Sequence, residues 1–154
     1  MIHISHSLSD TKKVAELFVA YLCAQPTSNT FGFSGDLGSG KTAFTKCIAE
    51  LLGISEHVTS PTFVIEKRYP IDARVAGEDF PFKVLIHIDA YRLESGEELN
   101  AIGFERDLED PSHLILVEWP ERVIEALPPT TPIIRFSFVS EHIRTVEFPD
   151  MMGI

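Results

Sequence analysis

The chain has 154 residues, 44% hydrophobic and 23% charged, which fits one domain with its own core and excludes disordered and fibrous classes. Thirteen Lys and Arg against 23 Asp and Glu give a formal charge of −10, so the protein alone is not expected to grip RNA or an anionic membrane. The longest unbroken apolar run, residues 17–24, is too short to cross a bilayer. The first six residues lack the basic start and apolar centre of a signal peptide, and Cys23 and Cys47 both fall in apolar helical patterns. A cytoplasmic protein with reduced thiols is expected.

In chain order, a first helix is predicted from Ser9, with Val14, Leu17, Phe18, Tyr21 and Leu22 forming one apolar face. It ends at Gln25-Pro26-Thr27-Ser28-Asn29. A strand over residues 30–34 then runs into Gly35-Asp-Leu-Gly-Ser-Gly-Lys-Thr42. The helical pattern returns with Phe44, Cys47, Ile48, Leu51 and Leu52, and Gly53 stands where a C-terminal cap belongs. Residues 62–69 and 83–88 read as strands joined by a polar stretch. Residues 94–110 carry seven acids and one base, Arg106, a local charge of −6. Leu114-Ile-Leu-Val117 has the continuous apolar character of a strand buried on both faces. After Pro128, Pro129 and Pro132, residues 133–139 and 143–148 are predicted to pair around Ser140-Glu141-His142. The expected fold is α/β: one domain spanning residues 1–154, with a mixed central sheet flanked by helices.

Gly35-x-x-x-x-Gly40-Lys41-Thr42 satisfies the P-loop pattern, with a strand before it and an amphipathic helix after it. Glycines allow the backbone to approach a phosphate and ring it with N–H groups. The helix that starts near Lys41 aims its positive dipole end at the same anion. Lys41 is expected to reach the β- and γ-phosphates and the Thr42 hydroxyl to ligate Mg²⁺. Such a site also needs an acid at the end of a buried strand. Asp89 and Glu118 both qualify, and spacing does not choose between them.

Thr62, in Ser60-Pro61-Thr62-Phe63, could sense a γ-phosphate, although the residues alone read as a turn before a strand. His87 alternates with apolar neighbours and reads as a satisfied strand residue. The histidines and cysteines show no zinc-ligand spacing. Tyr91 and Trp119 each follow an acid closely, as a wall of the site or as core. The acidic stretch is a solvated face or a docking surface for a basic partner.

These blocks, in this order, resemble the TsaE (YjeE) family of bacterial tRNA threonylcarbamoyladenosine biosynthesis. The resemblance rests on Gly35–Phe44, Ser60-Pro-Thr-Phe63, His87-Ile-Asp-Ala-Tyr-Arg-Leu93, Glu97-Glu-Leu99 with Gly103-Phe104, and Val117-Glu-Trp-Pro120. It implies a P-loop NTPase-like domain that hydrolyses ATP with Mg²⁺ in support of N6-threonylcarbamoyladenosine formation at position 37 of tRNAs reading codons that begin with A. It implies action on partner proteins of the TsaB and TsaD type, with tRNA met only indirectly and no membrane. Carried onto this sequence, Gly38, Ser39, Gly40, Lys41, Thr42 and Ala43 form the nucleotide loop, and Thr42 and Glu118 ligate the metal. Asp89 becomes the second acid, aligning or activating water. Thr62 becomes a γ-phosphate sensor, and Thr11 lies near the adenine. Ala43 departs from the second Thr common in the family and loses one hydroxyl contact, while Ser39 replaces a common Ala. After Pro120 no family motif is found.

Two other classes use the same loop. A small-molecule kinase needs an arginine-bearing lid, but Arg92, Arg106 and Arg122 are scattered after Asp89 and no Arg-rich segment is visible. A GTPase switch usually carries Asn-Lys-x-Asp, and neither Asn29 nor Asn100 precedes a Lys.

Overall fold

The computed structural model describes residues 1–24, 28–59 and 64–154. Among these residues seven strands build one sheet: β1 (Ile2–Ser5), β2 (Thr30–Ser34), β3 (Glu66–Pro70), β4 (Val84–Asp89), β5 (His113–Glu118), β6 (Ile133–Ser140) and β7 (Ile143–Glu147). Their order across the sheet is β1-β7-β6-β2-β5-β4-β3. The four central strands are mutually parallel, and β1, β7 and β3 join antiparallel at the edges. Helices α1 (Leu8–Ala24) and α2 (Lys41–Leu51) share one core with the sheet. On the other face lie α4 (Gly96–Ala101), α5 (Phe104–Glu109) and the short 3₁₀ turns at Pro120–Arg122 and Ile124–Ala126, with α3 (Ala73–Ala76) between β3 and β4.

The strand period of two decides which side chains meet which layer. In β4 and β5, Ile86, Ile88, Ile115 and Val117 face the core under α4 and α5. Leu85, Leu114 and Leu116 face the core under α1 and α2, with Phe18, Phe31, Phe33 and Phe44. His87, Asp89 and Glu118 keep the parity of Leu85 and Leu116, so all three point toward the α2 side. Strands β4 and β5 are buried on both faces, which is why they read as largely apolar runs, whereas β6 alternates buried Ile134 and Phe136 with exposed residues.

The mixed sheet and its order of elements bear out the expected fold class. Three details differ. Strand β1 is unexpected: its Ile2 and Ile4 are 61% and 59% exposed, so the segment has no core alternation to read. Antiparallel pairing with β7 forms it, from Ile2↔Glu147 to Ser5↔Arg144. Strand β3 starts at Glu66, just after Ile65 takes a φ of 66°, outside the extended region. In α1, Leu17 is 46% exposed while Ala15 is fully buried. The Lys12–Glu50 ion pair at 3.2 Å marks the flank of α1 that meets α2, and Ala15 lies one turn along that flank.

Candidate functional site

Between β2 and α2 the backbone turns sharply at Gly35, where φ is 147° and a Cβ would stand 2.2 Å from the Phe136 carbonyl oxygen of β6. Only glycine fits there. Gly38 and Gly40 have φ values of 76° and 106°, and a Cβ on either would point into open space. The loop therefore surrounds an unfilled concavity at the start of α2. Ser39 Oγ is buried and has no hydrogen-bond partner among the described residues. Lys41, the first residue of α2, is only 5% exposed. Its Nζ donates to the Gly35 and Asp36 carbonyls and sits 4.3 Å over the Trp119 ring. Burial pushes the Lys41 ammonium below its ordinary value, against the opposing pull of Glu118, Glu121, Asp89 and Asp36.

At the carboxyl ends of β4 and β5, Asp89 and Glu118 are cross-strand neighbours in register. Thr42 Oγ1 donates to Glu118 at 2.9 Å from Oε1 and 3.1 Å from Oε2. His87 Nε2 lies 2.8 Å from Glu118 Oε1. Asp89 Oδ1 accepts from the Tyr91 N–H at 2.9 Å. The Tyr91 and Trp119 rings meet at 5.1 Å between centroids and form a wall of the site. A hydroxyl and two carboxylates beside a glycine cradle are the hard oxygen donors that suit a divalent cation on a phosphate chain.

These groups open on one cleft of about 710 Å³. It brings together Thr11, Gly38, Gly40, Lys41, Thr42, Ala43, Asp89 and Glu118. Ser39 lies behind the loop surface, 1% exposed. Thr11 stands on the β1–α1 wall, its Oγ1 2.8 Å from Ser5 Oγ. Thr62, with the rest of residues 60–63, lies outside the described residues. Sequence reasoning gave no role to Arg144. From β7 its Nε donates to the Gly38 carbonyl at 2.9 Å, and its guanidinium lies 4.3 Å over the Phe138 ring. No local motif marks it, because the loop it braces is 106 positions away.

A P-loop between parallel strands, with strand-end acids facing its helix, defines a protein of the P-loop class. The family model described as threonylcarbamoyl adenosine biosynthesis protein TsaE matches residues 5–146, and the chain belongs to that family. The tRNA threonylcarbamoyladenosine biosynthesis protein TsaE of Borreliella burgdorferi is 37% identical over 76% of this chain and 78% of its own length. The Streptomyces coelicolor protein of the same name is 42% identical over 61% of this chain and 58% of its own length. A crystal structure of Bacillus subtilis YdiB superposes with a TM-score of 0.72 at 26% identity, covering 99% of this chain and 90% of that one.

Proposed function

We propose that this protein binds and hydrolyses ATP with Mg²⁺, and that this turnover serves threonylcarbamoyladenosine formation in tRNA through proteins of the TsaB and TsaD type. The observation that carries the proposal is the contact of Thr42 with Glu118 beside Lys41 and Asp89, all facing the glycine cradle. In this reading the N–H groups of residues 38–43 bind the phosphate chain. Lys41 leaves the Gly35 and Asp36 carbonyls and turns its ammonium toward the terminal phosphates. Thr42 and Glu118 hold the cation, which when bound supplies charge neutralisation at the β- and γ-phosphates. Asp89, fixed by the Tyr91 N–H, orients the attacking water. Thr62 senses the γ-phosphate, and Thr11 borders the base.

The family's role in threonylcarbamoyl adenosine biosynthesis supports a cytoplasmic place of action. No helix among the described residues is long and apolar enough to cross a membrane. Phosphate release measured with the protein alone and with both purified partners tests the proposal. Slow release alone and faster release with the partners is expected. Lys41→Ala should lower the stimulated rate about 100-fold or more, since it removes charge stabilisation at the transferring group. Absence of any ATP affinity, with or without partners, would overturn it.

A further inference from the structure

His87 is fully buried in the middle of β4, on the face it shares with the leucines of β4 and β5. An imidazole there must lose its water, and that loss is offset only by hydrogen bonds made inside the protein. His87 makes one, from Nε2 to Glu118 Oε1 at 2.8 Å, while Nδ1 has no partner among the described residues. A carboxylate only accepts, so Nε2 is the nitrogen that carries the proton in this contact. An aliphatic side chain like Leu85 or Leu116 would fill the same layer without leaving a buried nitrogen unpaired. Nor is His87 needed to join the strands, because β4 and β5 already pair from Val84↔His113 through Asp89↔Glu118.

The contact does something that no other group here does. The Thr42 hydroxyl lies 2.9 and 3.1 Å from the two Glu118 oxygens and hardly distinguishes them. The imidazole touches Oε1 alone. We propose that His87 is the positioning residue of the cation site: its Nε2–H anchors Glu118 Oε1 and leaves Oε2 to face a divalent cation beside Thr42. This rests on the Mg²⁺-ATP reading of the site. Outer partners of this kind orient a ligand and spare it the cost of ordering when the metal arrives.

The test titrates Mg²⁺ against the full chain while calorimetry follows binding of a non-hydrolysable ATP analogue. In His87→Leu the Mg²⁺ midpoint is expected to rise roughly tenfold, and in His87→Gln to stay within about threefold of wild type. The Gln amide reaches the place of Nε2–H, whereas the shorter Asn amide reaches only that of Nδ1, so His87→Asn should behave like His87→Leu. Analogue affinity in EDTA should be the same in all four proteins, because the phosphate cradle is untouched. Equal shifts in the Leu, Asn and Gln variants would mean a packing role and overturn the proposal, as would no shift in any of them. If His87→Leu fails to give a cooperative melt, the Gln–Asn difference decides alone. Thr42→Ala separates the two levels. If it too leaves the Mg²⁺ midpoint unmoved, the reading of the site as a Mg²⁺-ATP site fails. If it shifts the midpoint while the His87 variants do not, only the positioning role fails.

Discussion

Lys41 is an ammonium taken out of water before any phosphate is present to meet it. Its carbonyl partners and the Trp119 ring hold it, yet burial still lowers its pKa from the ordinary 10.5. Between that lowered value and 10.5 the unfolded chain binds more protons at this position than the folded one, so stability rises with pH across the window. Lys41→Met has no such dependence. The variant is expected to be at least as stable as wild type near neutrality, with its advantage shrinking as pH climbs toward 10.5. Urea unfolding of both proteins over that range measures it, and a gap that widened with pH would contradict the burial argument. The two acids should also separate. Thr42 reaches both oxygens of Glu118, while one Asp89 oxygen is occupied by the Tyr91 N–H. Glu118→Gln is therefore expected to raise the Mg²⁺ requirement of ATP hydrolysis more than Asp89→Asn, which should chiefly lower the rate at saturating Mg²⁺. The opposite order in paired Mg²⁺ titrations would exchange the two roles.

Between elements, the loop is seated on β6 by backbone contact. A methyl on Gly35 would press on the Phe136 carbonyl at 2.2 Å, and neither backbone can yield without loosening β2 from β6. A Cβ on Gly38 would meet no atom within 4 Å, so a methyl there costs only its φ of 76° and its intrusion into the cradle. Gly35→Ala should lose roughly 3 kcal/mol of stability, as overpacking against a rigid neighbour does. Gly38→Ala should lose about 1 kcal/mol while weakening ATP binding. Denaturant melts beside ATP titrations read both quantities, and equal destabilisation would refute the packing account. The contrast also shows what was legible in the sequence. The loop, the helix after it and the apolar runs of β4 and β5 depend on neighbours along the chain, and their patterns announce them. The choice between Asp89 and Glu118 depends on how α2 lies over two strands, which spacing does not encode. Strand β1 and the Arg144 brace depend on pairing across almost the whole chain, between residues whose local patterns carry no core signal. His87 looked like a satisfied strand residue because alternation gives its face of the strand but not its partner.

For the whole molecule, what matters is where the cations end up. The adjacent basic pairs are Lys12-Lys13 and Lys67-Arg68. The first lies on α1, which packs over one face of the sheet beside α2, and the second on β3, at the sheet edge far from β1. The two pairs therefore stand on different elements, one on a helix over the sheet and one on an edge strand. Acids also hold them: Lys12 pairs with Glu50 at 3.2 Å and Lys13 with Asp10 at 3.4 Å. Arg68 reaches Glu66 at 2.7 Å and the buried Asp107 at 2.5 Å, while Lys67 donates to Thr59. Helices α4 and α5 carry most of the −6 charge of residues 94–110 beside that second edge. Counterion release from tRNA needs several free cations on one surface, and three of the four residues in these basic pairs are held by acids, against a total charge of −10. The protein alone is therefore expected to show no saturable tRNA binding at about 150 mM salt, the physiological ionic strength. A fluorescence or filter titration at that salt checks it, repeated with the partner proteins present. Binding that appears only with the partners would place the RNA surface on them and leave the nucleotide cleft as this chain's contribution. Saturable micromolar binding by the isolated chain would overturn the indirect role.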